Sequence, residues 1–160
     1  MRRRDWLLAL ILSALACHDS SPTSPVLQSA PIPDVAGAWT GTVKTLEVLG
    51  DGDNGALCPA EPVSVEIERT SGLNSRFFHA SIQANCVTAN FNGQFVAPAN
   101  QTLNGMVTYD VNGVTYQAVL NAALEGGSSR RMSATTSAFQ HPLADGGVLL
   151  RDSLRFELSR

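Results

Sequence analysis

The sequence predicts an all-β fold, an eight-stranded antiparallel up-and-down barrel, and three observations predict it. From residue 37 onward, apolar and polar residues alternate at a period of two, with little sign of the helical period. β-Branched and aromatic residues occur in runs that Gly, Asn, Asp and Pro separate. Most joins between runs are short, and sequential strands with short turns form a meander that eight strands are enough to close.

The predicted strands share an alternation that gives each of them one apolar side. They are the runs 38–46, 62–70, 76–84, 87–97, 102–109, 114–124, 130–139 and 147–158. In the second run, for example, Val63, Val65 and Ile67 share one face, and the residues between them are Ser and Glu. The apolar faces together predict a barrel interior without ionisable side chains. Because an enzyme needs acids, bases or nucleophiles that converge at one place, we expect no enzymatic activity.

Composition and charge restrict the partners of the chain. With 44% apolar and 16% charged residues, the composition is that of one folded domain. The net charge is -3, although the first residues are basic. An acidic domain has no electrostatic footprint for nucleic acid and no basic patch for anionic lipid, so we expect neither to bind. The scattered His18, His79 and His141 predict no metal site, and we expect no cofactor.

The N-terminus has the layout of an export signal. Residues 1–16 combine a basic start, a short apolar run and small residues ahead of Cys17, which predicts a signal peptide. The apolar run is too short to span a bilayer. Residues 13–17, Ser-Ala-Leu-Ala-Cys, resemble a bacterial lipobox, and that resemblance implies cleavage before Cys17 and its lipidation. The alternative is an ordinary signal peptide with an incidental cysteine.

The next segment, residues 17–36, is rich in Pro and Ser and predicts an extended, lipid-anchored tether ahead of a barrel domain at 37–160. His18 rather than Asp follows the cysteine. By resemblance to the lipoproteins of Gram-negative bacteria, this implies delivery to the outer membrane of the cell envelope, facing the periplasm or the cell surface. We expect the membrane to be a partner through the anchor, and the domain to be a monomer.

Two cysteines remain once Cys17 is assigned to lipid. Cys58 and Cys86 form an even pair, which in an exported domain predicts a disulfide. A metal site is a poor alternative, because two isolated cysteines do not complete a tetrahedral ligand set. In the meander, the joins after the first and third strands lie at the same end of the barrel, and each holds one of these cysteines. The bridge would stabilise the domain by about 3 to 4 kcal/mol in the chain-entropy model.

Residues 37–39, Gly-Ala-Trp, resemble the G-x-W signature at the head of the first strand in the lipocalin and calycin group. The barrels of that family have eight strands and commonly carry small apolar ligands. An Arg at the end of the last strand packs across the Trp and closes that end of the barrel. Here Arg155 and Arg160 are the candidates, and Arg160 lies nearer the end. The resemblance therefore implies a lipocalin-like barrel closed by Trp39 and Arg160, although no helix follows the last strand.

Two classes of function remain open. The first is a lipid-anchored binding module that holds a small apolar or amphipathic ligand, with the loops 47–61 and 140–146 setting specificity. The second is a structural or interaction lipoprotein whose packed barrel docks another envelope component. Interior volume discriminates them, because small inward residues such as Gly105 and Ala118 can leave a cavity or let the walls touch. The ligand-contacting residues predicted by the first class are Phe78, Phe91, Val107, Tyr116, Leu120 and Met132.

Overall fold

The computed structural model describes residues 30–49, 57–70, 75–127 and 129–160. The predicted signal peptide, Cys17 and the first part of the predicted tether lie outside these residues. The described chain holds ten β-strands and a single 3-10 turn at Glu125–Gly127. The strands are β1 (Gly37–Glu47), β2 (Glu61–Arg69), β3 (Phe77–Gln83), β4 (Thr88–Phe95), β5 (Thr102–Val111), β6 (Val114–Leu124), β7 (Arg131–Thr136), β8 (Phe139–Pro142), β9 (Val148–Arg151) and β10 (Ser153–Ser159).

Eight of these strands close into an antiparallel barrel. Each strand from β1 to β6 pairs with the next one along the chain, β7 pairs with β10, and β10 pairs with β1 to complete the circle. Registers such as Gly41↔Leu158 and Phe91↔Val107 place inward residues opposite one another. The predicted fold class, an all-β closed up-and-down barrel of eight strands, is confirmed, and it is consistent with a lipocalin-like barrel.

The last two predicted runs form one long hairpin that leaves the barrel partway. β7 pairs with β10 and β8 pairs with β9 in the same register, with a break at residues 137–138 and at Asp152. β8 also pairs with β6 at Gln117↔Gln140. β9 pairs with β8 and stands last in the strand order. The barrel itself is closed, but the hairpin adds an edge strand outside it.

The core lies inside the barrel and follows the predicted alternation. Along β6, for example, Tyr116, Ala118 and Leu120 are buried and the residues between them are exposed. Where β4 and β5 pair at Gly93↔Gly105, the two strands approach closely, and a Cβ at Gly105 would overlap the carbonyl oxygen of Asn92. Gly105 therefore permits the close approach of these two adjacent strands, and the place of its missing Cβ is occupied by backbone atoms of β4.

The two ends of the barrel are closed by different segments. We call the end at which β1 begins and β10 ends the lower end; it holds residues 30–36, the β4–β5 loop at 96–101 and Arg160. The upper end holds residues 57–60, the β3–β4 turn at 84–87 and the β8–β9 hairpin.

The packed domain begins before the first strand. Val35 is fully buried in the core. The backbone N–H of Ala30 donates to the carbonyl of Pro98 at 3.0 Å, and the side-chain amide of Asn100 donates to the carbonyl of Ala30. The prediction placed residues up to 36 in a tether and the start of the domain at residue 37. Residues 30–36 instead lie against the lower end, so the chain meets the barrel there.

Candidate functional site

The lower end is sealed by Trp39 and Arg160, the pair that the sequence suggested. Trp39 is 1% exposed, and its indole N–H donates to the carbonyl of Val35 at 2.8 Å. The guanidinium of Arg160 lies over the indole ring, 5.2 Å from its centroid. The same guanidinium donates to the carbonyls of Ala36 at 2.6 Å and Ser129 at 2.9 Å. This arrangement combines a cation–π contact with hydrogen bonds that fix the entry segment.

A second arginine repeats this arrangement beside the first. The guanidinium of Arg69 lies 5.4 Å from the centroid of the Phe78 ring and donates to the carbonyl of Pro33 at 3.4 Å. Arg155, the other candidate for closing this end, instead pairs with Glu157 at 2.6 Å on the outer wall. The lower end is therefore closed by the chain's own entry segment.

The six residues predicted to contact a ligand lie in a packed interior. All six are buried. Four of them, Phe78, Phe91, Leu120 and Met132, line an internal cavity of about 30 Å³ whose lining residues are all apolar. Val107 and Tyr116 are not part of that lining. A space of this size holds about one water molecule, whereas ligand pockets typically measure about 300 to 1,000 Å³.

The upper end is held by a disulfide. Cys58 and Cys86 are bonded, with their Cα atoms 5.1 Å apart, which confirms the predicted pairing. The bond joins the segment ahead of β2 to the β3–β4 turn. Thr45 links Cys58 to β1. Its N–H donates to the Cys58 carbonyl at 2.9 Å, and its hydroxyl accepts from the Cys58 N–H at 3.0 Å.

Asp152 is a buried carboxylate at this end, only 3% exposed. It accepts hydrogen bonds from the backbone N–H of Leu49 at 2.9 Å and of Leu57 at 2.7 Å. These two N–H groups lie on either side of the segment 50–56, so one carboxylate holds both of its ends. The sequence pattern did not predict a role for this residue. The signal that could have revealed it is the Val-Leu-Leu-Arg-Asp stretch at 148–152, where the alternation within the last predicted run fails.

Aromatic rings attach the β8–β9 hairpin to the barrel. The Phe139 ring packs edge-on against Tyr109 with centroids 5.6 Å apart, and the guanidinium of Arg151 lies 5.5 Å from the Tyr116 ring centroid. His141 Nδ1 lies 2.8 Å from the carbonyl of Thr115, so this nitrogen carries the proton and donates. Burial raises the pKa of the Tyr109 phenol, and the nearby charge of Arg151 opposes that effect.

Exposed apolar side chains concentrate at the upper end. Among the described residues, eleven large apolar side chains are exposed and seven of them lie there. They occupy the end of β1 with the residues after it, and the β8–β9 hairpin, which meet at Asp152. Exposed apolar side chains gathered at one end of a domain favour an interaction site there. The seven residues, which we call the upper patch, are Leu46, Val48, Leu49, Leu143, Val148, Leu149 and Leu150.

One edge of β9 pairs with no strand of the described residues; this edge, which we call the free edge, runs through the patch. The backbone N–H of Leu143 donates to the carbonyl of Gly147 at 2.8 Å, which sets the phase of the β8–β9 ladder. Successive residues of an antiparallel strand alternate between bonding to the neighbour and pointing away from it. The backbone groups of Leu149 therefore face β8, and those of Val148 and Leu150 face outward. In the described part of the chain no strand pairs with that outer side.

The described residues contain no group of three or more His, Cys, Asp or Glu side chains arranged to hold a metal ion. Within the same residues, no helix has both the length and the apolar character needed to cross a membrane. A scan against protein-family models finds no match to the sequence, and a search of curated proteins finds none either.

Proposed function

We propose that this protein is a non-enzymatic, lipid-anchored envelope lipoprotein whose barrel is a packed scaffold and whose upper end docks an extended strand of a protein partner. The observation that carries the proposal is the concentration of exposed apolar side chains around the free edge of β9. The filled interior supports it, because a cavity of about 30 Å³ leaves the outer surface as the place for recognition.

The position of the entry segment supports a membrane-distal role for the upper end. The chain reaches the barrel at Ala30, which is bonded to the β4–β5 loop of the lower end. An anchor at Cys17 would leave the lower end within about 45 Å of the lipid surface, since an extended chain spans at most about 3.3 to 3.6 Å per residue. The upper patch would then face away from the membrane.

The chemistry of the edge indicates the kind of partner. The outward N–H and C=O groups of Val148 and Leu150 offer main-chain hydrogen bonds, which an extended protein strand satisfies and a lipid or a small apolar molecule does not. The flanking side chains are apolar, so the added strand would be apolar on the sides that cover the patch. Main-chain bonds give affinity in this mode, and side-chain contacts give specificity.

The anchor is tested on the full chain produced in a Gram-negative host. Mass spectrometry of membrane-extracted protein is expected to show a diacylglycerol-modified N-terminal Cys17. The Cys17→Ser variant is expected to lose this mass and the membrane association. Unmodified Cys17 in a soluble mature chain would contradict the anchoring.

The docking surface is tested by photo-crosslinking in the same cells. A photoreactive residue at Leu149, 42% exposed in the upper patch, is compared with one at Met106, 43% exposed on the barrel wall. We expect discrete cross-linked protein products from position 149, identified by mass spectrometry, and none from position 106. Equal cross-linking at both positions, or none at position 149, would overturn the docking role.

Carriage of a small apolar ligand is a second candidate. The observation in its favour is the wholly apolar lining of the internal cavity, to which four of the six predicted residues contribute. Binding there would require the core to expand by an order of magnitude in volume, because about 30 Å³ holds about one water molecule.

A further inference from the structure

We infer that the strand docked at the upper end is β9 of a second copy of this chain, so that two barrels join through an antiparallel β9–β9 pair. The inference rests on the proposed docking function and names its partner. A two-fold interface uses the same surface on both copies, and therefore requires a surface that complements itself. The free edge of β9 meets that requirement in its backbone pattern, its side chains and its charges.

The backbone pattern fixes the register of the pair. Val148 and Leu150 carry the outward N–H and C=O groups, so Val148 of each copy would exchange both bonds with Leu150 of the other. The two-fold axis then passes between the two Leu149 residues. These form the non-hydrogen-bonded pair, in which Cα atoms lie about 4.5 Å apart.

The side chains suit this register. Val148, Leu149 and Leu150 are each about half exposed, so each face of the strand offers apolar surface. In the antiparallel pair, apolar residues of one copy meet apolar residues of the other. Such cross-strand pairs contribute about 0.2 to 1 kcal/mol each relative to Ala pairs.

The charges favour the antiparallel orientation over the parallel one. Asp145 lies in the turn ahead of β9, where its carboxylate accepts from the Gly147 N–H at 2.9 Å, and Arg151 ends the strand. In the two-fold pair, Arg151 lies opposite Gly147 of the other copy and diagonal to its Asp145. Diagonal residues lie about 7 to 8 Å apart, within reach of a long side chain. To make this contact, the Arg151 guanidinium would leave the Tyr116 ring over which it lies. A parallel pair would instead place like charges beside each other.

The sequence predicts a monomer, and it predicts one barrel strand at 147–158. The break at Asp152 separates β9 from β10 and exposes the edge. The β9 edge is only four residues long, so the pair would be weak in solution. Anchoring both copies in one membrane raises their effective concentration and favours it.

Cysteine cross-linking of the full chain in the cell envelope tests the inference. Leu149→Cys places two thiols across the two-fold axis at a Cα separation compatible with a disulfide. The matched control is Met106→Cys, a side chain of the same exposure on the barrel wall. After mild oxidation, non-reducing electrophoresis is expected to show about tenfold more covalent dimer for Leu149→Cys than for the control, because proximity controls disulfide formation.

A second variant tests whether the covalent dimer arises from random encounters between chains. Adding Val148→Lys and Leu150→Lys to the Leu149→Cys chain would place like charges directly opposite one another in the pair, and is expected to reduce the dimer to the level of the control. These positions are exposed, so the barrel should keep its fold, which intact Cys58–Cys86 bonding and circular dichroism would verify.

The outcomes separate the inference from the function on which it rests. If Leu149→Cys gives no more dimer than Met106→Cys, while photo-crosslinking at 149 captures a different protein, the second copy is overturned and the docking function stands. If neither method yields a product from position 149, both are overturned. A dimer that persists in the lysine variant would overturn the β9–β9 register.

Discussion

The two ends of the barrel are built by different means. The lower end is closed by the chain itself, where Arg160 and Arg69 cover the aromatic rings of Trp39 and Phe78 and bind carbonyls of the entry segment. The upper end is held by a disulfide, one buried carboxylate and a hairpin inserted between β7 and β10. Among the described residues, seven exposed large apolar side chains lie at the upper end, whereas two, Phe77 and Val96, lie at the lower end.

The difference indicates a division of roles. A closed lower end with the entry segment packed on it suits a fixed point of attachment. An upper end that is cross-linked and whose apolar patch is exposed suits recognition, because a rigid frame there presents an apolar edge without collapsing onto it. Substitutions at the two ends should therefore differ in what they disturb.

The largest effect is expected from Trp39→Ala at the lower end. Removing this buried indole leaves a cavity and an unpaired Val35 carbonyl, and should lower the free energy of unfolding by about 3 to 5 kcal/mol. Urea denaturation followed by circular dichroism measures it, with Trp39→Phe as the control that keeps most of the apolar ring. Equal stability of the alanine variant and the wild type would show that the indole does not support the lower end.

Loss of the upper-end disulfide should come next. The double variant Cys58→Ala, Cys86→Ala is expected to lower the free energy of unfolding by about 3 to 4 kcal/mol, since the unfolded chain gains conformational freedom. Urea denaturation of the variant should match that of the reduced wild type. If both retain the stability of the oxidised protein, the upper end does not depend on its cross-link.

Asp152→Asn should cost less and act locally. The amide oxygen of Asn can still accept from one of the two backbone N–H groups, so the variant should lose one bond to a charged acceptor, about 1.5 to 3 kcal/mol. Limited proteolysis should show faster cleavage between residues 49 and 57. Asp145→Asn, at an exposed carboxylate of the same hairpin, is the control and should leave the cleavage rate unchanged.

The smallest effect concerns pH. Since the folded state raises the pKa of the Tyr109 phenol above the ordinary 10.0, it holds that proton more tightly than the unfolded chain does. The resulting stability is full below the ordinary pKa and is lost as pH rises through the folded value. Urea denaturation from neutral pH to pH values above the ordinary tyrosine pKa should show this decline in the free energy of unfolding. The Tyr109→Phe variant should show a smaller decline. If the variant shows the same decline as the wild type, the loss of stability at high pH comes from titrating groups other than Tyr109.

The sequence predicted the barrel well because alternation reports directly which side of a strand is buried. Val63, Val65 and Ile67 are buried as expected. The cysteine pairing followed from the even cysteine count, and the strand directions supported it. The break at Asp152 was missed, because the predicted run 147–158 is mostly apolar and was interpreted as one continuous strand. Interior volume was also beyond the pattern, since it depends on how closely strands approach at positions such as Gly93 and Gly105.

The entry segment shows the same limit. Composition marked residues 30–36 as tether, yet Val35 is buried and Ala30 is bonded to the β4–β5 loop. Pro-rich composition predicts extended backbone. It does not indicate whether an extended segment lies in solvent or against a barrel, because that depends on contacts distant in sequence.

The most direct test of the packed barrel is titration of the protein with a fluorescent apolar probe, N-phenyl-1-naphthylamine. The filled interior predicts no saturable one-to-one uptake, and any fluorescence from the upper patch should disappear in the Val148→Lys, Leu150→Lys variant. One-to-one binding that survives in that variant and is lost in Ala122→Leu, which fills the internal cavity, would contradict the account. The barrel would then be a ligand carrier.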